Sequence, residues 1–348
     1  MFPSQVAESL NLLIDLRRPV FIWGAPGVGK SEVVAQVAAA RGMMMRDVRL
    51  GLCDPTDIKG FPVPDMAAQL MRWLPANFLP PMMVEKTVTT GKGKTAKTTT
   101  ELVPNDTTGI LFLDEMNQAP PMVQTASYSL VLDRRIGDYV LPEGWVIVAA
   151  GNREGDRGNV QKQPTPLALR FTHIDMEVCP KEWAEWALNK KIHYKTVAFL
   201  RLRTELLHDF DPTKRSSPNP RGWVTASEYT DMPPSTRMNL INGTVGQTAT
   251  NEYLSFLDVY GEIPSIDEVR MNPDKTPIPE KMNARFAISS ALSAHATPDN
   301  FGSFMQYMGR FDVEWLVSFV RDAMVRSPNV TKTKEFTQFA IKNSSFLG

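Results

Sequence analysis

The 348-residue chain carries 38 Lys and Arg against 38 Asp and Glu, a formal net charge of zero. That length exceeds a single compact core and predicts two or three domains, and the charge balance excludes a global basic field of the kind that holds nucleic acid. Two cysteines, Cys53 and Cys179, are too few for a disulfide framework and share no metal-ligand spacing with the four histidines; no apolar run approaches a membrane span and no basic-then-apolar signal opens the chain, so a cytoplasmic protein without a membrane segment is expected.

Residues 4–16 place Val6, Leu10, Leu13 and Ile14 on one helical face. Val20–Trp23 is a short apolar run that reads as a buried strand. It leads into Gly24-Ala25-Pro26-Gly27-Val28-Gly29-Lys30-Ser31, a complete G-x-x-x-x-G-K-[ST] phosphate loop. Residues 32–41 then read as a helix stopped by Gly42, so the loop has the strand-before, helix-after context it needs. Gly24, Gly27 and Gly29 let the backbone bend around an anion with its N–H groups inward. The helix N-terminus adds partial positive charge. Lys30 is expected at the β- and γ-phosphates of ATP, and Ser31 at a magnesium ion.

A second strand is expected at 46–52, followed by two insertions. Residues 60–82 hold Pro62, Pro64, Pro75, Pro80 and Pro81 among Phe61, Trp73 and Phe78, which rules out a continuous helix or central strand. Residues 84–108 are rich in threonine and lysine, with little to bury, and predict a mobile loop or an exposed hairpin.

Ile110 to Leu113 is a fully apolar run ending in Asp114-Glu115. A buried parallel strand would deliver both carboxylates at its C-terminal end, where ligands bind in open α/β sheets. Asp114 is then the expected magnesium ligand, and Glu115 the group that activates a water. Residues 146–150 form another apolar run, ending Gly151-Asn152; taken alone Asn152 is a turn residue, but as third in this series it can position the water. A last core strand is expected at 172–178. The alternation predicts an α/β core, a parallel sheet with helices on both faces.

These segments together carry a resemblance. GAPGVGKS, LFLDEMNQAPP, AAGNRE and PLALRF, in that order, resemble the AAA+ ATPases and, within them, the MoxR-like group. The resemblance covers roughly residues 1–230. It implies that Asp114 and Glu115 form the Walker B site, that Asn152 is sensor 1, that Arg170 is an arginine finger offered to a neighbouring subunit, and that Arg221 is sensor 2. A guanidinium suits both arginine roles because it stabilises phosphoryl charge without losing its proton. Arg134, Arg135, Arg153 and Arg157 are rival fingers, expected near the same end of the sheet. Asn219 can cap a helix with Pro220 in its first turn, which would set Arg221 near that helix's start. The 60–82 insertion is similar in place to the group's substrate-side helix 2 insert, or is a packed surface loop.

The resemblance implies an AAA+ core at 1–178 and a helical lid at 179–260. Residues 261–348 read as a helical extension, with helices expected at 280–295, 299–309, 312–326 and 332–345. The function implied is a ring-forming ATPase, a hexamer, that uses ATP and Mg2+ to remodel, activate or assemble a partner protein carrying a von Willebrand factor A domain. A nucleic-acid motor or translocase, and a slow ATP-gated scaffold, stand as the alternatives.

Overall fold

The computed structural model of the protein describes residues 1–90, 97–156, 161 and 163–343. Two compact units divide the chain, Met1–Glu177 and Val178–Gly348.

The first unit runs α1 (Pro3–Asp15), β1 (Val20–Trp23), α2 (Lys30–Ala40), β2 (Met44–Arg49), α3 (Pro55–Lys59), β3 (Phe61–Asp65), β4 (Leu70–Leu74), β5 (Met83–Thr90), β6 (Lys97–Pro104), β7 (Gly109–Asp114), α4 (Pro121–Asp133), β8 (Arg135–Ile136), β9 (Tyr139–Val140), β10 (Trp145–Gly151), α5 (Thr165–Ala168) and β11 (Thr172–Asp175). Five strands form one sheet in the order β11-β1-β10-β7-β2, and every pairing in it is parallel.

The sheet is buried on both faces, which is why its central strands are continuous apolar runs rather than alternating ones. On one face Ile22, Phe112, Val148 and Ile174 meet Val6, Leu10 and Ile14 of α1 and Val34 and Val37 of α2. On the other, Phe21, Leu111, Leu113 and Ile147 meet Ile58, Val123, Leu130 and Leu167 from α3, α4 and α5. Each fully buried Leu, Ile or Phe contributes roughly 1.5–3 kcal/mol of transfer free energy. The α/β core expected from the sequence is therefore present. One bound differs. The strand expected at 46–52 is displaced to Met44–Arg49, and Leu50–Leu52 is a turn of 3-10 helix. Leu50 is buried against the core while Leu52 is exposed, so this turn carries the chain off the sheet.

Both insertions are hairpins. β3 pairs antiparallel with β4, with Pro62 opposite Trp73 and Pro64 opposite Met71. A two-stranded ribbon tolerates these prolines because each missing N–H can face solvent. β5 pairs with β6 over eight registers, Met83 opposite Pro104 through Thr90 opposite Lys97. Asn105 closes the base of that ribbon, donating from its side chain to Pro81 O at 2.7 Å and from its backbone N to Met82 O at 2.8 Å. The β3–β4 ribbon leaves Phe61, Met66, Leu70, Met71 and Leu74 exposed.

The second unit is helical among the described residues: α6 (Pro180–Asn189), α7 (Tyr194–Leu202), α8 (Pro220–Glu228), α9 (Pro234–Val245), α10 (Gln247–Asp258), α11 (Ile266–Met271), α12 (Met282–Ala294), α13 (Phe301–Met308), α14 (Val313–Arg326) and α15 (Lys334–Lys342). One cluster centres on Trp183, Phe199, Trp223, Tyr253 and Phe256. Another centres on Ile288, Phe301, Phe304, Tyr307 and Phe319. α12 serves both, with Ala287 in the first and Ile288 and Leu292 in the second. A bidentate ion pair from Arg201 to the buried Asp322 fastens α7 to α14. Cys53 and Cys179 are half-buried.

Candidate functional site

The site grows from the C-terminal ends of β1, β7 and β10. Directly after β1, Gly24 N donates to Gly151 O at 3.3 Å, tying the loop's first residue to the end of β10. Gly27 (φ +75°) and Gly29 (φ +99°) adopt the left-handed region. A Cβ at Gly29 would meet nothing within 4 Å, so glycine is required there by the backbone angle and not by space. The turn at Gly29 starts α2, whose Val33, Val34 and Val37 dock on the sheet and hold its N-terminus at the strand ends.

Lys30 is 8% exposed. Its Nζ donates to Gly24 O at 2.7 Å, to Ala25 O at 3.1 Å and to Asn152 Oδ1 at 2.9 Å. One residue on, Ser31 Oγ donates to Asp114 Oδ2 at 3.2 Å. Asp114 Oδ1 accepts from the Glu115 backbone N at 2.9 Å. Lys30–Asn152 and Ser31–Asp114 are thus two polar pairs on consecutive residues, joining the first turn of α2 to the ends of the neighbouring strands β10 and β7.

Glu115 sits at φ +54°, a left-handed conformation that costs a non-glycine residue about 1–2 kcal/mol. This kink turns the chain from β7 into a 3-10 turn, Met116–Gln118. It sets the Glu115 carboxylate over Gly51, where an added Cβ would lie 3.4 Å from Oε2. Backbone strain held at such a place is a mark of function.

Two further residues join the site that sequence reasoning did not single out. Asn117 is fully buried. Its amide donates to Asn152 O at 2.6 Å and its Oδ1 accepts from Asn152 N at 3.2 Å, so it clamps Asn152 on both sides. The clamp requires glycine at 151, because a Cβ there would lie 2.3 Å from Asn117 Oδ1. Asp47, on β2, lies one strand over from Asp114. Lost solvation, and then the Asp114 charge, raise its carboxyl pKa above the ordinary aspartate value. Asp47 gave no signal, because Arg46 and Arg49 make its strand a mixed one. Asn117 gave none beyond lying in a quoted motif.

The donor set suits a phosphate chain with magnesium. Inward N–H groups, a buried ammonium and a helix N-terminus take the anion. The Ser31 and Asp114 oxygens are hard ligands of the kind magnesium accepts beside waters and phosphates. Among the described residues no three His, Cys, Asp or Glu side chains assemble into an all-protein cage, and magnesium does not demand one.

Arg170 lies elsewhere. It follows α5 and precedes β11, so it stands at the N-terminal ends of the strands, with Thr172 opposite Val20 and Asp175 opposite Trp23. The four-residue length of β1, roughly 13 Å, separates that edge from the phosphate loop. Its segment is held by His173, whose ring bonds Ala168 O at 2.8 Å and accepts from Trp23 Nε1 at 2.8 Å. Arg153 is engaged locally, with Asp175 at 3.5 Å and Met176 O at 3.2 Å. Arg134 is half-buried and Arg135 exposed, and the rivals do not share one end of the sheet: Arg134 lines a cavity with Arg170, whereas Arg153 follows β10 at the phosphate-loop end. Arg157 lies outside the described residues. Arg221 belongs to the second unit, exposed in the first turn of α8. There Asn219 caps the helix, accepting from Gly222 N at 2.9 Å, with Pro220 as the first helical residue.

No family model and no curated protein matches the sequence. Solved structures do. A point mutant of Thermotoga maritima RuvB is 16% identical, with 78% of this chain and 77% of that chain covered and a TM-score of 0.39. A putative ATPase from Cytophaga hutchinsonii is 15% identical over 92% and 80%, with a TM-score of 0.34. NtrX from Brucella abortus in complex with ATP is 10% identical over 99% and 68%, with a TM-score of 0.36.

Proposed function

We propose that this protein is a ring-forming ATPase of the MoxR-like AAA+ type, which couples magnesium-dependent ATP hydrolysis to remodelling, activation or assembly of a partner protein. The observation that carries this reading is the Lys30–Asn152 and Ser31–Asp114 pairing at the ends of adjacent parallel strands. A phosphate loop alone binds. A loop joined to a carboxylate, with a second carboxylate beside it and an amide across from it, has the parts for turnover.

In this scheme the loop Gly24, Ala25, Pro26, Gly27, Val28 and Gly29 wraps the phosphate chain, with the backbone N–H groups of Ala25, Gly27, Val28 and Gly29 as donors; Pro26 has none and that of Gly24 is held by Gly151 O. Lys30 bonds the terminal phosphates, exchanging its hold on Gly24 O and Ala25 O for phosphate oxygens. Ser31 and Asp114 hold magnesium, which when bound neutralises charge on the phosphates. Glu115 accepts the proton of the attacking water, and Asn152, fixed by Asn117, orients that water. Arg170 stands too far from its own loop to serve it, which supports action on the nucleotide of a second subunit. The sensor 2 role of Arg221, the hexameric ring and a partner with a von Willebrand factor A domain rest on the sequence resemblance. So does the division of the second unit into a lid at 179–260 and an extension at 261–348. Among the described residues no helix is long and apolar enough to cross a membrane.

The test is turnover and binding in two variants. Lys30→Ala should lose nucleotide binding. Glu115→Gln should bind ATP as wild type does and hydrolyse it at a small fraction of the rate, since an amide fills the site but accepts no proton. Wild-type turnover by Glu115→Gln would overturn the assignment.

A further inference from the structure

At the edge of the sheet opposite the phosphate loop, a cavity of about 230 Å³ is lined by Arg17, Arg18, Arg134 and Arg170, with Pro19, Val131, Leu132 and Ile147 as its apolar wall. The four arginines come from three distant stretches of chain: the turn after α1, the end of α4 and the turn after α5. We propose that this pocket is a second anion site, built for a phosphate chain such as a di- or triphosphate group.

Charge is the first ground. Four arginines line one small cavity, and Glu143, 3.8 Å from Arg17 and 94% exposed, is their one ion-pair partner among the described residues. A polyanion offsets such a cluster, and guanidinium forks match phosphate oxygens bidentately. The apolar wall strengthens the attraction by keeping water from one side.

Construction is the second ground. Arg17 (φ +53°) and Arg134 (φ +57°) are both left-handed non-glycine residues, two of five in the described chain. Each conformation costs about 1–2 kcal/mol, and both residues line the same cavity. Arg134 is locked in place. One of its terminal nitrogens donates to Pro142 O at 2.9 Å and to Trp145 O at 2.8 Å. Burial, and then the charge of Arg17, lower its pKa.

Size and lining decide the ligand class. The cavity takes a few phosphate groups but no duplex. It has no aromatic side chain on which a base could stack, so a single-stranded nucleic acid gains nothing from it beyond charge. The phosphates can come free from solution or as the terminal groups of a nucleotide held by a second copy of the chain.

The probe is sodium tripolyphosphate, titrated calorimetrically into the full-length Lys30→Ala protein, in which the phosphate loop is disabled. One saturable equivalent per chain is expected. Adding Arg17→Gln and Arg18→Gln should weaken it by about tenfold or more, as should Arg170→Gln alone. Arg134 is left intact because it holds two backbone carbonyls. Sedimentation of Glu115→Gln with ATP then separates the sources. ATP-driven association lost in Arg17→Gln/Arg18→Gln assigns the phosphates to a second copy. Tripolyphosphate binding without such association assigns a free anion. Both uphold the site. No tripolyphosphate binding to Lys30→Ala, or binding untouched by the arginine substitutions, overturns it. The outcome is independent of the phosphate-loop reading, which fails separately if wild-type protein does not bind ATP.

Discussion

Asn117 reaches no phosphate in the proposed scheme, yet it decides where Asn152 stands. Removing its side chain takes away the Asn117 bonds to the N–H and C=O of the half-buried Asn152, at about 1–3 kcal/mol for each group left unsatisfied. Asn117→Ala is therefore expected to lower the unfolding free energy by about 2–3 kcal/mol in urea melts, and to lower kcat more than it raises KM for ATP. Gly151→Ala should mimic it, because the added methyl displaces the same amide. Glu115 makes the opposite point. Its left-handed backbone suits asparagine better than glutamate, so Glu115→Asn is expected to be as stable as wild type or up to about 1 kcal/mol more stable while losing turnover. A loss of several kcal/mol in that variant would count against stored strain. These two residues also mark the limit of what sequence shows. Asp114 and Glu115 were legible because a fully apolar run delivers them. Asn117 was not, because its partner lies 35 residues away and only the β7–β10 pairing brings the two together.

At the scale of elements, the interior strands were plain because burial on both faces leaves an uninterrupted apolar run. β2 was harder to bound, since its mixed residues hide where pairing stops. The start of the helical region expected from residue 179 is two helices, α6 and α7, and a 3-10 turn, Thr204–Leu207. Lys191 (φ +57°) ends the first and His193 caps the second, accepting from Lys195 N at 3.3 Å through Nδ1 while Nε2 bonds Asp231 at 3.0 Å. That pattern requires a neutral ring, and burial lowers the pKa of His193 accordingly. A depressed histidine pKa means the unfolded chain binds the proton first. Stability is then fully present above the unfolded value, about 6.5, and falls as pH drops through it toward the folded value. Melting temperature should decline from pH 7 to pH 5, and His193→Asn, which keeps a capping oxygen, should flatten that decline. The β5–β6 ribbon bears on a separate measurement. Its strands pair with each other and with no core strand, and its base is closed by Asn105. Replacing residues 86–101 by Asn-Gly between the paired Glu85 and Leu102 should leave basal ATP turnover within about twofold, since a two-residue turn suits such a ribbon.

For the molecule as a whole, the separation of Arg170 from its own phosphate loop makes a single chain incomplete under the proposed reading. Arg170→Ala should bind ATP normally and hydrolyse it slowly, since a finger contributes about three to five decades of rate where it has been measured. Mixing Arg170→Ala with Lys30→Ala should recover part of the activity, because some interfaces then pair an intact loop with an intact arginine. Complete absence of recovery across all mixing ratios would argue that Arg170 does not act between chains. Such an arrangement is legible only in part from sequence. PLALRF marks Arg170, but Arg17, Arg18 and Arg134 are ordinary in their own segments. Their meeting follows from Pro19 and Thr172 being joined at the head of β1 and β11 and from α4 ending beside them.

The exposed β3–β4 ribbon has a consequence in oxidative chemistry. Met66 is 84% exposed and Met71 56%, and Met122, at 72%, stands at the nearby groove that Trp73 also lines. Met116, Met176 and Met308 are sealed in the interior. Peroxide converts an accessible thioether into a polar, chiral sulfoxide and spares a buried one. The first three methionines should therefore oxidise early and the last three last, which gives mass spectrometry an internal standard within the same chain. Anything that comes to rest on the ribbon would slow Met66 and Met71 against that standard, and methionine sulfoxide reductase should reverse whatever loss of adhesion the oxidised ribbon suffers.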